Sequence, residues 1–302
     1  MGKLLRVGRP QFLIAGLALF VFGALLAVRL GAPFSLARLL LGYLVVLPAQ
    51  LSVHYSNDYF DVAADRSGAS TLVSGGSGVL LEHPELRTPV KWIAVALIVC
   101  SLGMGLVFLQ RYAYPFWIFG FVAIGNLVGW CYSAPPLRLS SRGLGEPAYT
   151  FTGGLLIPGM GYLAMNRTLN LAGASLLMPL LLYGLASILS VENPDVEADR
   201  LGGKRTWPAR KGRGFGFTLV GACLLAATGY FFIFPWLSAW RVPVDFHILG
   251  LLSLLPLSAG MAGWIKRPLQ REPATRIAIW TVLALAVFSI LADGYLLTLV
   301  TR

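Results

Sequence analysis

The sequence predicts an all-α membrane protein of nine transmembrane helices, and three observations carry that prediction. Of the 302 residues, 57% are hydrophobic and only 12% are charged, about half the charged share of an ordinary soluble domain. The mean hydropathy is +0.73. The apolar residues also fall in long runs separated by short polar clusters, and about 20 apolar residues suffice for a helix to cross a bilayer. Lipid offers the backbone no hydrogen-bond partners, so each run is expected to be helical.

In chain order the runs cover 12–31, 37–57, 89–110, 114–132, 146–165, 171–191, 215–235, 246–265 and 275–299. The first follows Lys3, Arg6 and Arg9, as the apolar core of a signal peptide would. It is longer than such a core and no cleavage site follows it, so it reads as a retained span. The second run ends in the polar stretch NDYFDVAADR, and the sixth ends in ENPDVEADR. The longest non-apolar segments are 58–88, 133–145 and 192–214. No linker or low-complexity stretch divides the chain, so 1–302 reads as one integral-membrane domain.

The net charge of +11 raises the question of nucleic acid, but its distribution argues for topology instead. With the N-terminus in the cytoplasm, eighteen of the 24 Lys and Arg residues lie on the inner side and six on the outer, as the positive-inside rule expects of a multi-pass protein of the cell membrane. All three long polar segments then face the cytoplasm, and so do the loops expected to carry the chemistry. Cys100, Cys131 and Cys223 lie in or beside apolar runs without metal-like spacing and read as small packing residues. His54, one helical turn before Asp58, reads as a packed helix histidine.

The two acidic stretches share Asp-Val-x-Ala-Asp-Arg, with first aspartates Asp61 and Asp195, 134 residues apart. They close the inner ends of the second and sixth runs. Spans 1–4 and 5–8 therefore read as a parallel repeat with span 9 added. Asp61 and Asp65 are four residues apart, as are Asp195 and Asp199, and a continuing helix would project each pair from one face. Asn57 and Asp58 would extend the first pair into a polar stripe, and Glu192 would extend the second.

A solvated helix end is the simpler account of such clusters. Against it, like charges at this spacing weaken a helix, and acids near a helix C-terminus oppose its dipole. A chain with only 13 acidic residues has accepted both penalties twice. Two carboxylates about 4 Å apart repel by roughly 1 kcal/mol in water and about 4 at an effective dielectric of 20, and a shared cation removes that repulsion. Without Cys or His clusters zinc is disfavoured. Hard oxygen ligands suit Mg²⁺, which commonly binds one or two carboxylates together with substrate phosphates. Two clusters thus imply two Mg²⁺ ions around a diphosphate.

Arg66, Arg200, Lys204 and Arg205 follow the acids, and Arg138 and Arg142 lie in the loop between them. These are candidate clamps for phosphate oxygens. A diphosphate at the inner end of an apolar bundle implies a lipid-soluble tail, as in a prenyl diphosphate. Its departure would leave an allylic cation that the spans shield from water, with Tyr59, Phe60, Tyr132 and Tyr149 as nearby aromatic faces. A cation-coupled transporter is the alternative of a different class, but it would place carboxylates near the bilayer midplane. Asp293, inside the ninth run, is assigned no catalytic role.

NDYFDVAADR resembles the N-D-x-x-D-x-x-x-D motif of the UbiA superfamily of intramembrane prenyltransferases, and DVEADRLGGKRT resembles its second D-x-x-x-D motif. YSAPPLRL and RGLGE are similar to that family's loop between spans 4 and 5. The resemblance implies a nine-helix bundle around a central cavity and Mg²⁺-dependent transfer of an isoprenyl group from a prenyl diphosphate to a small aromatic or lipid acceptor. It implies that Asp61, Asp65, Asp195 and Asp199 hold the metal and diphosphate and that Asn57 and Asp58 support the first cluster. Arg138 and Lys204 would touch the diphosphate with Arg66 behind them, and Tyr132 and Glu146 would lie on the acceptor side.

The run Ser-Gly-Gly-Ser-Gly at 74–78 resembles the menaquinone-type branch, whose acceptor is 1,4-dihydroxy-2-naphthoate. A glycerol-phosphate lipid or a tetrapyrrole are the alternative acceptors. Two positions depart from that branch: Val191 stands where its second motif often begins with Asn, and Pro194 precedes Asp195.

Overall fold

The computed structural model describes residues 2–65, 75–237 and 243–300, with the backbone alone for 63–65 and 237. Among these residues every regular element is helical and no strand occurs. The helices are α1 (Gly2–Val7), α2 (Pro10–Arg29), α3 (Leu36–Asp65), α4 (Val79–Glu82), α5 (Arg87–Tyr112), α6 (Trp117–Ser133) and α7 (Gly145–Phe151). They continue with α8 (Ile157–Met165), α9 (Leu171–Glu192), α10 (Val196–Leu201), α11 (Trp207–Lys211), α12 (Arg213–Leu237), α13 (Phe246–Lys266) and α14 (Arg271–Val300).

Seven stretches within this order are long and apolar enough to cross a membrane: Pro10–Arg29, Leu36–Val62, Pro84–Tyr112, Leu171–Leu201, Arg213–Trp236, Phe246–Lys266 and Arg271–Val300. The chain is a multi-pass membrane protein. The expected fourth and fifth runs look different. The fourth is the 17-residue helix α6, about 25 Å long at 1.5 Å per residue and so short of the roughly 30 Å hydrocarbon core. The fifth is α7, a π-helical turn over Thr152–Leu156, and α8.

That interruption has a packing cause. A Cβ on Gly154 would lie 2.6 Å from the Leu180 carbonyl oxygen of α9, so the backbone there must be bare, and Pro158 sits in the first turn of the next helix. Such π-turns mark places where a helix is reshaped by its surroundings.

Small residues set how closely the helices approach. A Cβ on Gly23 of α2 would lie 1.8 Å from the Pro158 carbonyl of α8, and one on Gly161 of α8 would lie 1.9 Å from the Phe20 carbonyl. α2 and α8 therefore cross backbone to backbone. α3 packs on α5, α2 also on α14, and α12 between α9 and α13. Phe20, Phe108, Tyr162, Leu177, Phe231 and Phe288 are fully buried in the main core. Outward, Ile14, Val99, Leu127, Leu251, Leu283 and Ile290 are exposed, the inversion expected of helices that face lipid.

Candidate active site

α3 carries the first acidic stretch without a break through Asp65. Asn57 and Asp61, one turn apart, face a cavity inside the bundle. Asp58 does not. It is 2% exposed, lies off the cavity wall, and accepts hydrogen bonds from Arg9 Nη2 (2.6 Å), from the Ser77 amide (3.3 Å) and from the Ser77 hydroxyl. The expected single stripe is thus divided, because adjacent helical positions are about 100° apart. Asp61 points to the cavity, and Asp58 ties α3 to the N-terminal segment and to the glycine turn. That turn uses left-handed backbone at Gly75 (φ 82°) and Gly78 (φ 73°), conformations glycine adopts without strain. Gly75 and Gly76 then lie on the cavity wall. The Asp65 side chain and all of Arg66 lie outside the described residues.

The second stretch is built differently. α9 ends at Glu192, Asn193–Asp195 form a 3₁₀ turn with Pro194 inside it, and α10 restarts at Val196. Pro194 lacks the N–H that a continuous helix needs. Buried Arg213 holds the break: Nε donates to the Asn193 carbonyl (2.8 Å), Nη1 donates to the Leu269 carbonyl (2.6 Å), and the guanidinium also pairs with Glu197. Asp195 and Asp199 still share a face and both line the cavity with Glu192. Asp195 accepts from Arg271 at 3.4 Å, and Asp199 accepts from the Thr206 hydroxyl at 2.9 Å. Asn193 turns away. It is fully buried, and a Cβ on Gly216 of α12 would lie 2.0 Å from its Oδ1. It packs against α12, so it does not take the place of the motif asparagine that Val191 leaves vacant.

Lys204 joins the two walls. Its ammonium lies 2.9 Å from Asp61 Oδ2, and its backbone N–H donates to the Asp199 carbonyl at 2.8 Å. Lys204 and Arg9 are the Lys and Arg residues on the cavity wall among the described residues. The other expected clamps are elsewhere. Arg138 is exposed and off the wall, as are Arg142 and Arg205, and Arg200 donates to the Ala209 carbonyl at 2.6 Å. The loop that carries Arg138 turns its cations to solvent and its Ser140 inward.

Glu146 is fully buried but not on the wall. One oxygen accepts from the Trp207 amide, and its carboxyl lies near that of Glu192. It holds the Lys204–Trp207 loop in place from behind. Tyr132 and Tyr149 do line the cavity. Arg9, Thr206 and Arg213 were missed by the sequence reading. Arg9 sits in the N-terminal basic cluster, and nothing in its local pattern separates it from Lys3 and Arg6.

Above this polar end the cavity is apolar, with walls from Phe12, Val46, Leu156, Met160, Leu180 and Leu285 and a volume of ≈ 410 Å³. The carboxyl groups of Asp61, Glu192, Asp195 and Asp199 line its charged end, yet among the described residues no three Asp, Glu, His or Cys side chains come close enough to hold a metal ion by themselves. Such an arrangement suits an ion that takes its remaining ligands from water and a phosphate.

The chain is similar to known proteins at three levels. It is 27% identical over 199 residues to the bacteriochlorophyll synthase 33 kDa chain of Cereibacter sphaeroides, a match that spans 63% of this chain and 60% of that protein. Its fold is similar to that of a UbiA homolog from Archaeoglobus fulgidus bound to GPP and Mg²⁺, with a TM-score of 0.70 at 17% identity over 99% of this chain and 100% of that one. It is likewise similar to a structure of digeranylgeranylglyceryl phosphate synthase, with a TM-score of 0.68 at 15% identity over 98% of both chains. The model of the UbiA prenyltransferase family matches residues 17–282, which include both acidic segments and most of the cavity wall, and the chain belongs to that family.

Proposed function

We propose that this protein is a divalent-metal-dependent intramembrane prenyltransferase that moves an isoprenyl group from a prenyl diphosphate to an aromatic acceptor. The observation that carries the reading is the meeting of two acidic segments, 134 residues apart in sequence, at the charged end of one apolar cavity. The donor set is hard oxygen throughout, which fits Mg²⁺. Asp61 on one wall and Asp195 and Asp199 on the other would hold two such ions with the diphosphate, with Asp65, four residues after Asp61 in the motif, as the expected fourth ligand. Bound there, Mg²⁺ would neutralise the diphosphate and make it a better leaving group. The Archaeoglobus homolog with GPP and Mg²⁺ supports this donor.

The protein's own part follows from the geometry. Lys204 and Asn57 donate to diphosphate oxygens, and Arg9, just before α2, adds positive charge. When the C1–O bond breaks, its electron pair leaves with the diphosphate and C1 becomes an allylic cation. The apolar walls keep water from it, and the faces of Tyr132 and Tyr149 stabilise it. An acceptor carbon then bonds to C1 and loses a proton.

The glycine run at 74–78 supports a quinone-precursor acceptor such as 1,4-dihydroxy-2-naphthoate. A tetrapyrrole is the second reading, favoured by the 27% identical relative. The proposal takes the whole chain as one unit of nine crossings, with α6 and the interrupted α7–α8 segment as the fourth and fifth. The N-terminus is cytoplasmic, and the two acidic motifs stand at equivalent places of a repeated four-span unit. The test incubates purified protein with a labelled prenyl diphosphate, Mg²⁺, and naphthoate, tetrapyrrole and glycerol-phosphate acceptors, and identifies the product by mass. EDTA should stop the reaction and Mg²⁺ should restore it. Turnover in EDTA, or no transfer to any acceptor, would refute the proposal.

A further inference from the structure

His54 is a cavity-lining side chain that the proposed chemistry leaves unused. It precedes Asn57 by three residues and Asp61 by seven, on the same face of α3, and all three line the cavity. Its ring stacks on Phe12 of α2, with centroids 5.8 Å apart and 28° between the planes. Among the described residues neither ring nitrogen has a hydrogen-bond partner, and neither is sealed off as Gln50 Oε1, one turn away, is. Both nitrogens therefore keep surface open to the cavity. Arg9, on the same wall, donates to Asp58 instead. A histidine that only packed α2 against α3 would bury its nitrogens with partners, since buried polar groups are nearly always hydrogen-bonded. In its neutral form an imidazole has one nitrogen lone pair free to accept a proton.

The imidazole stands at the depth of the reacting carbon. The seven residues from Asp61 to His54 give about 10 Å of helix rise. Roughly 5 Å of it belongs to a phosphate and its metal–oxygen contact. C1 and the acceptor atom that meets it fall in the remainder, beside His54. A second path, along α6, gives the same depth. α3 and α6 both run towards the charged end, and a Cβ on Gly129 of α6 would lie 2.7 Å from the Val53 side chain of α3. Tyr132 is three residues further on, about level with Ser56 and within one turn of His54. The ring whose face meets the cation and the imidazole thus lie at one level of the same cavity.

Resting on the prenyl-diphosphate reading above, we infer that His54 is the general base that takes the proton the acceptor loses. The acceptor's π electrons form the bond to C1, and the positive charge passes to the acceptor. The proton on the bonded carbon, or on its ring hydroxyl, moves to the imidazole lone pair, and the acceptor recovers its aromatic electrons. The imidazolium then gives that proton to the departing diphosphate, which restores the base.

The test compares wild type with His54→Ala, His54→Phe and His54→Gln, using a labelled two-unit prenyl diphosphate, Mg²⁺ and the acceptor that wild type prenylates. All three variants should lose about 100-fold or more in kcat, the scale of general base catalysis, while the donor's dissociation constant stays within about threefold of wild type. That affinity also shows that a variant has folded. Added imidazole should restore about tenfold or more to His54→Ala, a rescue on the scale of the lost base, and nothing to His54→Phe, whose ring fills the space and keeps the stack on Phe12. His54→Gln can hydrogen-bond but takes no proton, and it serves where the smaller variant folds poorly. Wild-type rates in His54→Gln or His54→Phe would overturn the inference, and so would an alanine variant that binds donor normally and gains nothing from imidazole; neither result touches the donor reading. If wild type transferred no prenyl group to any acceptor, both would fall.

Discussion

Lys204→Ala deletes the ammonium that joins the two acidic walls. The Lys204 and Asp61 side chains are 18% and 7% exposed and lie 2.9 Å apart. At that separation the attraction is about 1.4 kcal/mol in water and about 6 at an effective dielectric of 20. Burial of both groups places the pair toward the second figure before desolvation offsets much of it. In the complex the same ammonium donates to a diphosphate oxygen, and a hydrogen bond of that charged kind contributes about 1.5–3 kcal/mol. The dissociation constant of a prenyl diphosphate should therefore rise about 10- to 150-fold. Titration calorimetry with an unreactive thio-diphosphate analogue in detergent, with Mg²⁺ present, reads the change directly. Lys204→Arg should recover part of the affinity, and a prenyl alcohol, which lacks the anion, should bind both variants as it binds wild type. A change below about threefold for the diphosphate would remove Lys204 from the clamp and refute the reasoning.

Three further substitutions probe the remaining parts. Asp195→Ala should lower transfer by more than about 100-fold, the upper range for losses around a metal site, while the helical circular dichroism stays as in wild type; an active variant would remove the second wall from the mechanism. Asp58→Ala should release Arg9 and the Ser77 turn and reduce kcat/KM by about tenfold, from the loss of a buried charged hydrogen bond, although Asp58 never faces the cavity. Rates equal to wild type would show that the turn holds without it. Gly161→Ala should force α2 and α8 apart and lower thermal stability in detergent by about 3 kcal/mol, the upper range for overpacking, since the added Cβ would meet the Phe20 backbone at 1.9 Å. An unchanged melting temperature would mean that the crossing can relax.

Much of the bundle was legible because hydrophobic length is a property of one segment at a time. The expected second run began at 37 and α3 begins at Leu36, and the sixth began at 171, where α9 begins. The segment 146–165 shows where that reading stops. Its hydropathy is continuous, yet Gly154 must press bare backbone onto α9 and the helix opens into a π-turn. The acidic residues show the same division. Asp61, Asp195 and Asp199 line one cavity, but Asp58, the residue after Asn57, turned to Arg9, which lies 49 residues away in sequence. No local pattern carries such a partner.

By itself the sequence determined that the chain is a helical membrane protein with two acidic motifs at the ends of two apolar runs. Hydropathy and helical periodicity are local and additive, so they survive without the rest of the fold. Only the tertiary structure decided which charges meet. It brought Lys204 to Asp61 across 143 residues, turned Arg138 out to solvent and set Glu146 behind the wall. A side chain's role in a bundle depends on which neighbouring helix stands opposite it, and that is settled by contacts between glycine-lined backbones far apart in the sequence.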